Sequence, residues 1–285
     1  MRVLVTGAGG LLGLEVVDEL RARGHEAIAA TRQRLDITDP MGSAQIAAKS
    51  FGELDWCINC AAYTAVDRAE SEEREAMEVN NLGIGYLMTA AQAVSLRVLH
   101  VSTDFVFDGE SDRPYTEEDP TNPIGVYGRS KLDGERRLLG YYRGVVVRTS
   151  WLYGPRGSCF PKTMLRAYDA GKSLRVVADQ FGTPTYTPHL ARVLADIVDK
   201  DPFPGIYHAA GPDVVSWHEF ARRVISVCRG AEPQIEPIKT EDWPTPAKRP
   251  RFSALDSSKL TAAGIAPMPP LDEGVRAFCQ TLQAS

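Results

Sequence analysis

The sequence predicts an α/β fold, a doubly wound parallel sheet carrying a smaller C-terminal α/β region. Three observations predict it. Short apolar runs alternate with helical patterns through the first half of the chain. These runs are continuously rich in Val, Ile and Leu, as strands covered on both faces are. A glycine turn follows the first run immediately and opens the first helix.

The elements follow in order. "RVLVTG" reads as the first strand, "LLGLEVVDELRARG" as a helix, "EAIAAT" as the second strand and "SAQIAAKSF" as the next helix. "LDWCINCAA" is a buried strand and "REAMEVNNLGIGYLMTAAQAVS" one long helix. "RVLHVST" is a strand, a helix begins near Tyr127, and "GVVVRTSWLYG" is another strand. Strands separated by helices in this way pair in parallel through right-handed crossovers. Past residue 155 the regularity weakens. "FPKTMLRAYDAG" reads as a helix, "LRVVAD" as a strand, "PTPAKRPRF" as a proline-rich loop, and 216–229 and 271–283 as helices. The expected division is a dinucleotide-binding domain over 1–157 with a returning segment near 174–210. A smaller substrate-binding region covers 158–173 and 211–285.

The whole chain narrows the function. Its 285 residues allow a sizeable core. A net charge of −5 without basic clusters argues against nucleic acid or an anionic membrane surface as partner. "MRVLVTGAGG" enters a glycine turn too early for a signal-peptide core, and no apolar stretch has the length of a membrane span, so the cytoplasm is the expected location. Five cysteines do not suggest a disulfide framework. Cys57 and Cys60 form a C-x-x-C, but on a strand they face opposite ways and read as structural. The histidines lack metal spacing; His208 and His218 have no assigned role, and no catalytic metal is expected. The oligomeric state stays open.

"TGAGGLLG" places glycines at 7, 10 and 13. Gly7 suits the tight turn, Gly10 a close approach of pyrophosphate to backbone, and Gly13 the packing of helix on sheet, with free N–H groups near Leu11 and Leu12 facing the phosphates. This is a Rossmann-type dinucleotide site. An acid at the end of the second strand would bind a ribose 2′-hydroxyl, but "TRQR" has Arg32 and Arg34 instead. A guanidinium matches a 2′-phosphate, which points to NADPH, with NADH as the alternative.

Two Tyr-x-x-x-Lys pairs occur. In "YGRSK", Tyr127 opens a helical run, so Tyr127 and Lys131 share one face. "VSTDF" sets Ser102, Thr103 and Asp104 at the end of the preceding strand, where open α/β sheets bind ligands. In "YDAGK", Gly171 caps a helix and carries Lys172 off the face of Tyr168, so this pair is an accident. A phenol with a pKa near 10 needs help at neutral pH; an adjacent ammonium lowers that value, so Tyr127 would protonate a carbonyl oxygen as hydride reaches its carbon. Thr103 would hold the same oxygen and Lys131 the cofactor ribose.

These features resemble the extended short-chain dehydrogenase/reductases and, more closely, the dTDP-4-dehydrorhamnose reductase family. The likeness runs through "LDITD", "AAYTAVDRAE", "STDFVFDG", "YGRSKLDGE", "RTSWLYG", "DQFGTPT" and "RPRFSALD". It implies reduction of the C4 ketone of a dTDP-linked deoxyhexulose, completing dTDP-L-rhamnose. It also implies that Tyr127 is the proton donor, supported by Thr103 and Lys131. Asp36 and Ile37 would border the adenine, and Ala61, Ala62, Tyr63 and Thr64 would line the cofactor. Asp104 and Trp151 would contact the sugar, and Arg249 the nucleotide diphosphate. Cys159, Gly125 and Phe252 each stand where this family usually has Asn. Phe105 occupies the position of a dehydratase's acid, which disfavours that chemistry. Arg32 counts against an epimerase with resident NAD, and the intact Thr103, Tyr127 and Lys131 against a regulatory subunit without turnover.

Overall fold

In the computed structural model, which describes residues 1–283, the strands and helices run β1 (Arg2–Thr6), α1 (Leu11–Ala22), β2 (Glu26–Ala30), α2 (Pro40–Ala47), β3 (Trp56–Asn59), α3 (Val66–Ala69), α4 (Glu73–Met77), α5 (Gly83–Ala93), β4 (Arg97–Thr103), α6 (Val126–Leu139) and β5 (Gly144–Thr149). There follow β6 (Leu152–Tyr153), α7 (Phe160–Asp169), β7 (Leu174–Val177), β8 (Phe181–Gly182), β9 (Thr185–Tyr186), α8 (Thr187–Lys200) and β10 (Gly205–His208). The chain ends with β11 (Val215–Ser216), α9 (Trp217–Arg229), β12 (Ile235–Ile238), α10 (Ser258–Ala262) and α11 (Leu271–Gln283). Among the described residues no helix is long and apolar enough to cross a membrane.

Six strands form one parallel sheet in the order β10-β5-β4-β3-β1-β2. Strand alternation feeds two cores. Val3 and Val5 pack with Leu12, Val16 and Leu20 of α1 and Leu190, Leu194 and Ile197 of α8. Leu4 and Cys57 pack on the other face with Ile84 and Leu87 of α5 and Leu138 of α6. Cys60 lies against the first core, so the C-x-x-C does divide between faces, and both thiols are free.

Three features depart from the sequence expectation. The long helix of 74–95 is interrupted by a π-type turn over Glu78–Leu82, where the buried Asn80 sits. The return to the main sheet is made by α8 and β10, whereas β7 pairs with β12 in a separate two-stranded sheet. The reason is partner choice: an apolar four-residue strand carries no signal for which sheet it joins. Third, Cys228 and Cys279 form a disulfide between α9 and α11, with Cα atoms 5.2 Å apart. Their separation of 51 residues hid a pairing that only the packing of the two helices creates.

A buried ion pair seats α6 on the sheet. Glu135 and Arg148 of β5 are 0% and 2% exposed. Arg148 Nη2 donates to Glu135 Oε2 at 2.7 Å and Nε reaches both carboxylate oxygens at 3.1 Å. Ser102 of β4 donates to the same carboxylate, and the guanidinium lies over the Phe107 ring. His208 is part of this support: its Nδ1 faces Tyr115 O at 3.0 Å and its Nε2 faces Arg148. Breaking one half leaves a buried, unanswered charge. Glu135→Ala is expected to lower unfolding free energy by about 3–5 kcal/mol. Urea denaturation measures this, and a loss below ~1 kcal/mol would mean that the pair does not hold α6.

Candidate functional site

The glycine turn lies where β1 meets β3, the point at which the strand order reverses direction. Gly7 has φ +64° and faces the backbone of Cys60 and Ala61 so closely that a Cβ would collide. A Cβ at Gly13 would strike Gly7 O. Gly10 caps α1 without a side-chain bond, leaving the helix N-terminus open. The result is a cleft of about 400 Å³ lined by Gly7, Gly9, Gly10, Arg32, Asp36, Ile37, Ala61, Ala62 and Tyr63, among others. Backbone without side chains at one end, a guanidinium at the other and apolar walls between them fit a dinucleotide.

The expected cofactor residues are placed unevenly. Arg32 is 79% exposed at the cleft edge and its Nε bonds Asp36 Oδ2 at 2.9 Å. Arg34 turns away, bonding Ala29 O and lying over Phe51. Leu12 and Gly13 are buried; the Leu12 side chain belongs to the core, so only its backbone faces outward chemistry. Leu11 begins α1 and Thr64 is exposed beside the cleft, but neither lines it.

α6 carries the proton-transfer candidates. Its first N–H, on Val126, is capped by Glu70 Oε1 at 2.9 Å. Gly125 has no side chain to do this, and a Cβ there would crowd that oxygen at 2.9 Å. The departure at Gly125 is thus matched by Glu70. Gly128 lets α6 touch the turn after β4, since a Cβ would collide with Phe105 O. Tyr127 then lies beside the Thr103 hydroxyl and, like Tyr63 of the cleft wall, packs against the cluster of Ala69, Ala76 and Val126. Asn80 holds that wall, accepting from Tyr63 N and donating to Tyr63 O and Ser130 Oγ.

The electrostatics differ from the sequence expectation. Burial pushes the Tyr127 phenol up to about 12, opposed by the Thr103 hydroxyl. Lys131 does not lower it, because its Nζ points to Val101 O at 2.7 Å and His100 Nε2 at 3.2 Å. Burial pulls Lys131 down to about 8. Burial also raises the Asp104 carboxyl to about 6. Asp104 Oδ1 accepts from Thr103 at 3.0 Å and the nearby Ser253 hydroxyl opposes the rise, while Oδ2 is buried without a hydrogen bond of its own.

Trp151 adopts φ +46°, a strained conformation for an aromatic residue. Its indole stacks on Trp217 with centroids 3.5 Å apart and planes 6° apart, and Gly182 leaves room for it on another side. Trp217 leads into a second pocket of about 320 Å³ lined by Phe160, Arg175, Trp243 and Arg249, among others. Arg249 is already paired: both terminal nitrogens bond Asp67, at 2.9 and 2.8 Å. Cys159 precedes α7 without capping it by a side-chain bond, and Phe252 packs against the Val106–Phe107 cluster. Sequence reasoning missed Glu70, Asn80, His100, Glu135 and Trp217. Only Glu135, one turn past Lys131 on α6, carried a spacing signal.

The family described as RmlD substrate binding domain matches residues 1–284. A dTDP-4-dehydrorhamnose reductase from Mycolicibacterium smegmatis is 41% identical over 271 residues, 94% of this chain and 81% of that protein. The crystal structure of a dTDP-4-dehydrorhamnose reductase from Clostridium acetobutylicum superposes with a TM-score of 0.94, at 36% identity over 99% of this chain and 100% of that one. Another from Bacillus anthracis, in complex with NADP, gives 0.92 at 34% identity, covering 97% and 98%.

If Arg32 reads a 2′-phosphate, Arg32→Ala will raise KM for NADPH about tenfold, a loss of ~1.4 kcal/mol for one exposed contact, and leave KM for NADH unchanged. Equal effects on both cofactors would remove that role.

Proposed function

The chain belongs to the dTDP-4-dehydrorhamnose reductase family, and on that premise we propose that it reduces the C4 ketone of a dTDP-linked 4-dehydro-6-deoxy-L-hexulose to dTDP-L-rhamnose with NADPH. The observation that carries this reading is the contact of Thr103 with Tyr127, with Lys131 one turn further along α6, beside a glycine-walled dinucleotide cleft. The cofactor, when bound, supplies the hydride.

The chain's own groups do the rest. Tyr127, kept protonated by burial, gives its proton to the C4 oxygen, and the Thr103 hydroxyl steadies that oxygen. Lys131, one turn along α6 from Tyr127, anchors the ribose. Asp104 Oδ2, buried and unbonded, suits a sugar hydroxyl donor. The aromatic pocket of Phe160, Trp217 and Trp243 suits a nucleobase, with Arg175 and Arg249 near its diphosphate. In this reading residues 1–157 with 187–208 hold the cofactor, and the remaining C-terminal elements hold the nucleotide sugar.

Tyr127→Phe should lower kcat by about 10²–10⁴-fold with NADPH affinity retained, measured by NADPH absorbance with the dTDP-hexulose and by titration of binding. NADPH binding without turnover in wild type would instead indicate a regulatory subunit. Lys131 sits near 8, so its cation is lost as pH rises through that value. The profile of kcat/KM should therefore fall above about pH 8; a limb near 10.5 would separate Lys131 from the decline.

A further inference from the structure

Behind the site a chain of hydrogen bonds joins β1, β3, β4 and α6. Thr6 Oγ1 donates to Asn59 Oδ1 at 2.5 Å. Asn59 Nδ2 donates to Ala61 O at 3.2 Å and stands 2.8 Å from His100 Nδ1. His100 Nε2 stands 3.2 Å from Lys131 Nζ, which donates to Val101 O at 2.7 Å. Thr6, Asn59, His100 and Lys131 are all buried.

The amide orientation decides the protons. Turning the Asn59 amide over would bring Oδ1 against the Ala61 carbonyl, acceptor against acceptor. Nδ2 is therefore the atom facing His100 Nδ1, and Nδ1 must accept. A neutral imidazole accepting at Nδ1 carries its proton at Nε2. An Nε2–H cannot accept from an ammonium, but it can donate to the lone pair of an amine.

We propose that His100 is a positioning residue: fixed by Asn59 in its Nε2–H form, it donates to the neutral amine of Lys131 and so disfavours the ammonium form of that lysine at mildly alkaline pH in the cofactor-free protein. Cofactor binding, which presents ribose hydroxyls and phosphate charge to the cleft, then brings a proton onto Lys131.

Of the other groups around Lys131, Glu135 and Cys60 favour its cation, against the larger effect of burial. Cys60, from the end of β3, is a thiol pushed up by burial to about 12 and is neutral. Glu135, one turn on along α6, has its charge answered by Arg148 of β5. The Tyr127 phenol, one turn back, is protonated. Burial keeps His100 well below the usual imidazole range and lowers Lys131 too, consistent with a charge-poor pair.

The inference rests on the reading of Lys131 as a ribose-binding residue, and its test does not require turnover. Calorimetry of NADPH binding near pH 8.5, in two buffers of different ionisation enthalpy, should show uptake of more than about half a proton by wild type. His100→Leu should abolish the uptake and move the alkaline limb of kcat/KM up by about one pH unit or more. Persistent uptake in the variant, or a limb unmoved or shifted down, would overturn the proposal. Should His100→Leu not fold, ¹⁵N spectra of wild-type histidine, assigned through the backbone, decide it alone. A bare Nδ1 with Nε2–H supports the proposal, and Nδ1–H with a bare Nε2 refutes it. A chain that takes up the proton yet reduces no dTDP-hexulose would overturn the substrate reading and leave this one standing.

Discussion

The buried pair of Glu135 and Arg148 is the constraint on which the rest depends. Two charges taken out of water cost several kcal/mol each, and they survive here because each has more than one partner. Ser102 adds a hydrogen bond to the carboxylate, while Phe107 and His208 surround the guanidinium. The pair locks the middle of α6 to β4 and β5. One turn earlier Lys131 is consequently fixed against β4, and one turn before that Tyr127 reaches Thr103. Close approach is permitted by absent side chains, at Gly128 against Phe105 O and at Gly134 against Asn80 O.

Asn80 then carries the geometry across the cleft. It lies in the π-type turn between α4 and α5, a local irregularity of the kind that often accompanies functional sites. Through Ser130 it touches α6, and through two backbone bonds it sets Tyr63 in the cleft wall. On the far side Trp151 is kept in a left-handed conformation by its stack on Trp217 and by the space at Gly182. Strain of this sort persists only when surroundings over-determine it, and here Trp217, the partner in the stack, also lines the second pocket.

Burial is the leading influence on every titrating group at the centre. It raises Tyr127 and Asp104 and lowers Lys131 and His100. At neutral pH these shifts leave Tyr127 and His100 uncharged, while Asp104 and Lys131 titrate on either side of neutrality.

Much of this was legible in the chain. The strand-helix alternation, the glycine spacing at 7, 10 and 13, and the shared helical face of Tyr127 and Lys131 are local patterns, and local patterns are written in order along a sequence. The accident at Tyr168 was legible too, because Gly171 adopts φ +65° just past the end of α7. What lay beyond the sequence was contact between distant residues. That β7 joins β12, that Cys228 meets Cys279, that Arg249 is held by Asp67 and that Lys131 turns to His100 rather than lowering Tyr127 are decided by packing. Such pairs join residues dozens or even well over a hundred positions apart, and no periodicity records them. The residue types and their spacing determined the chemistry on offer; only the folded core decided which groups are buried together, and burial sets their charge.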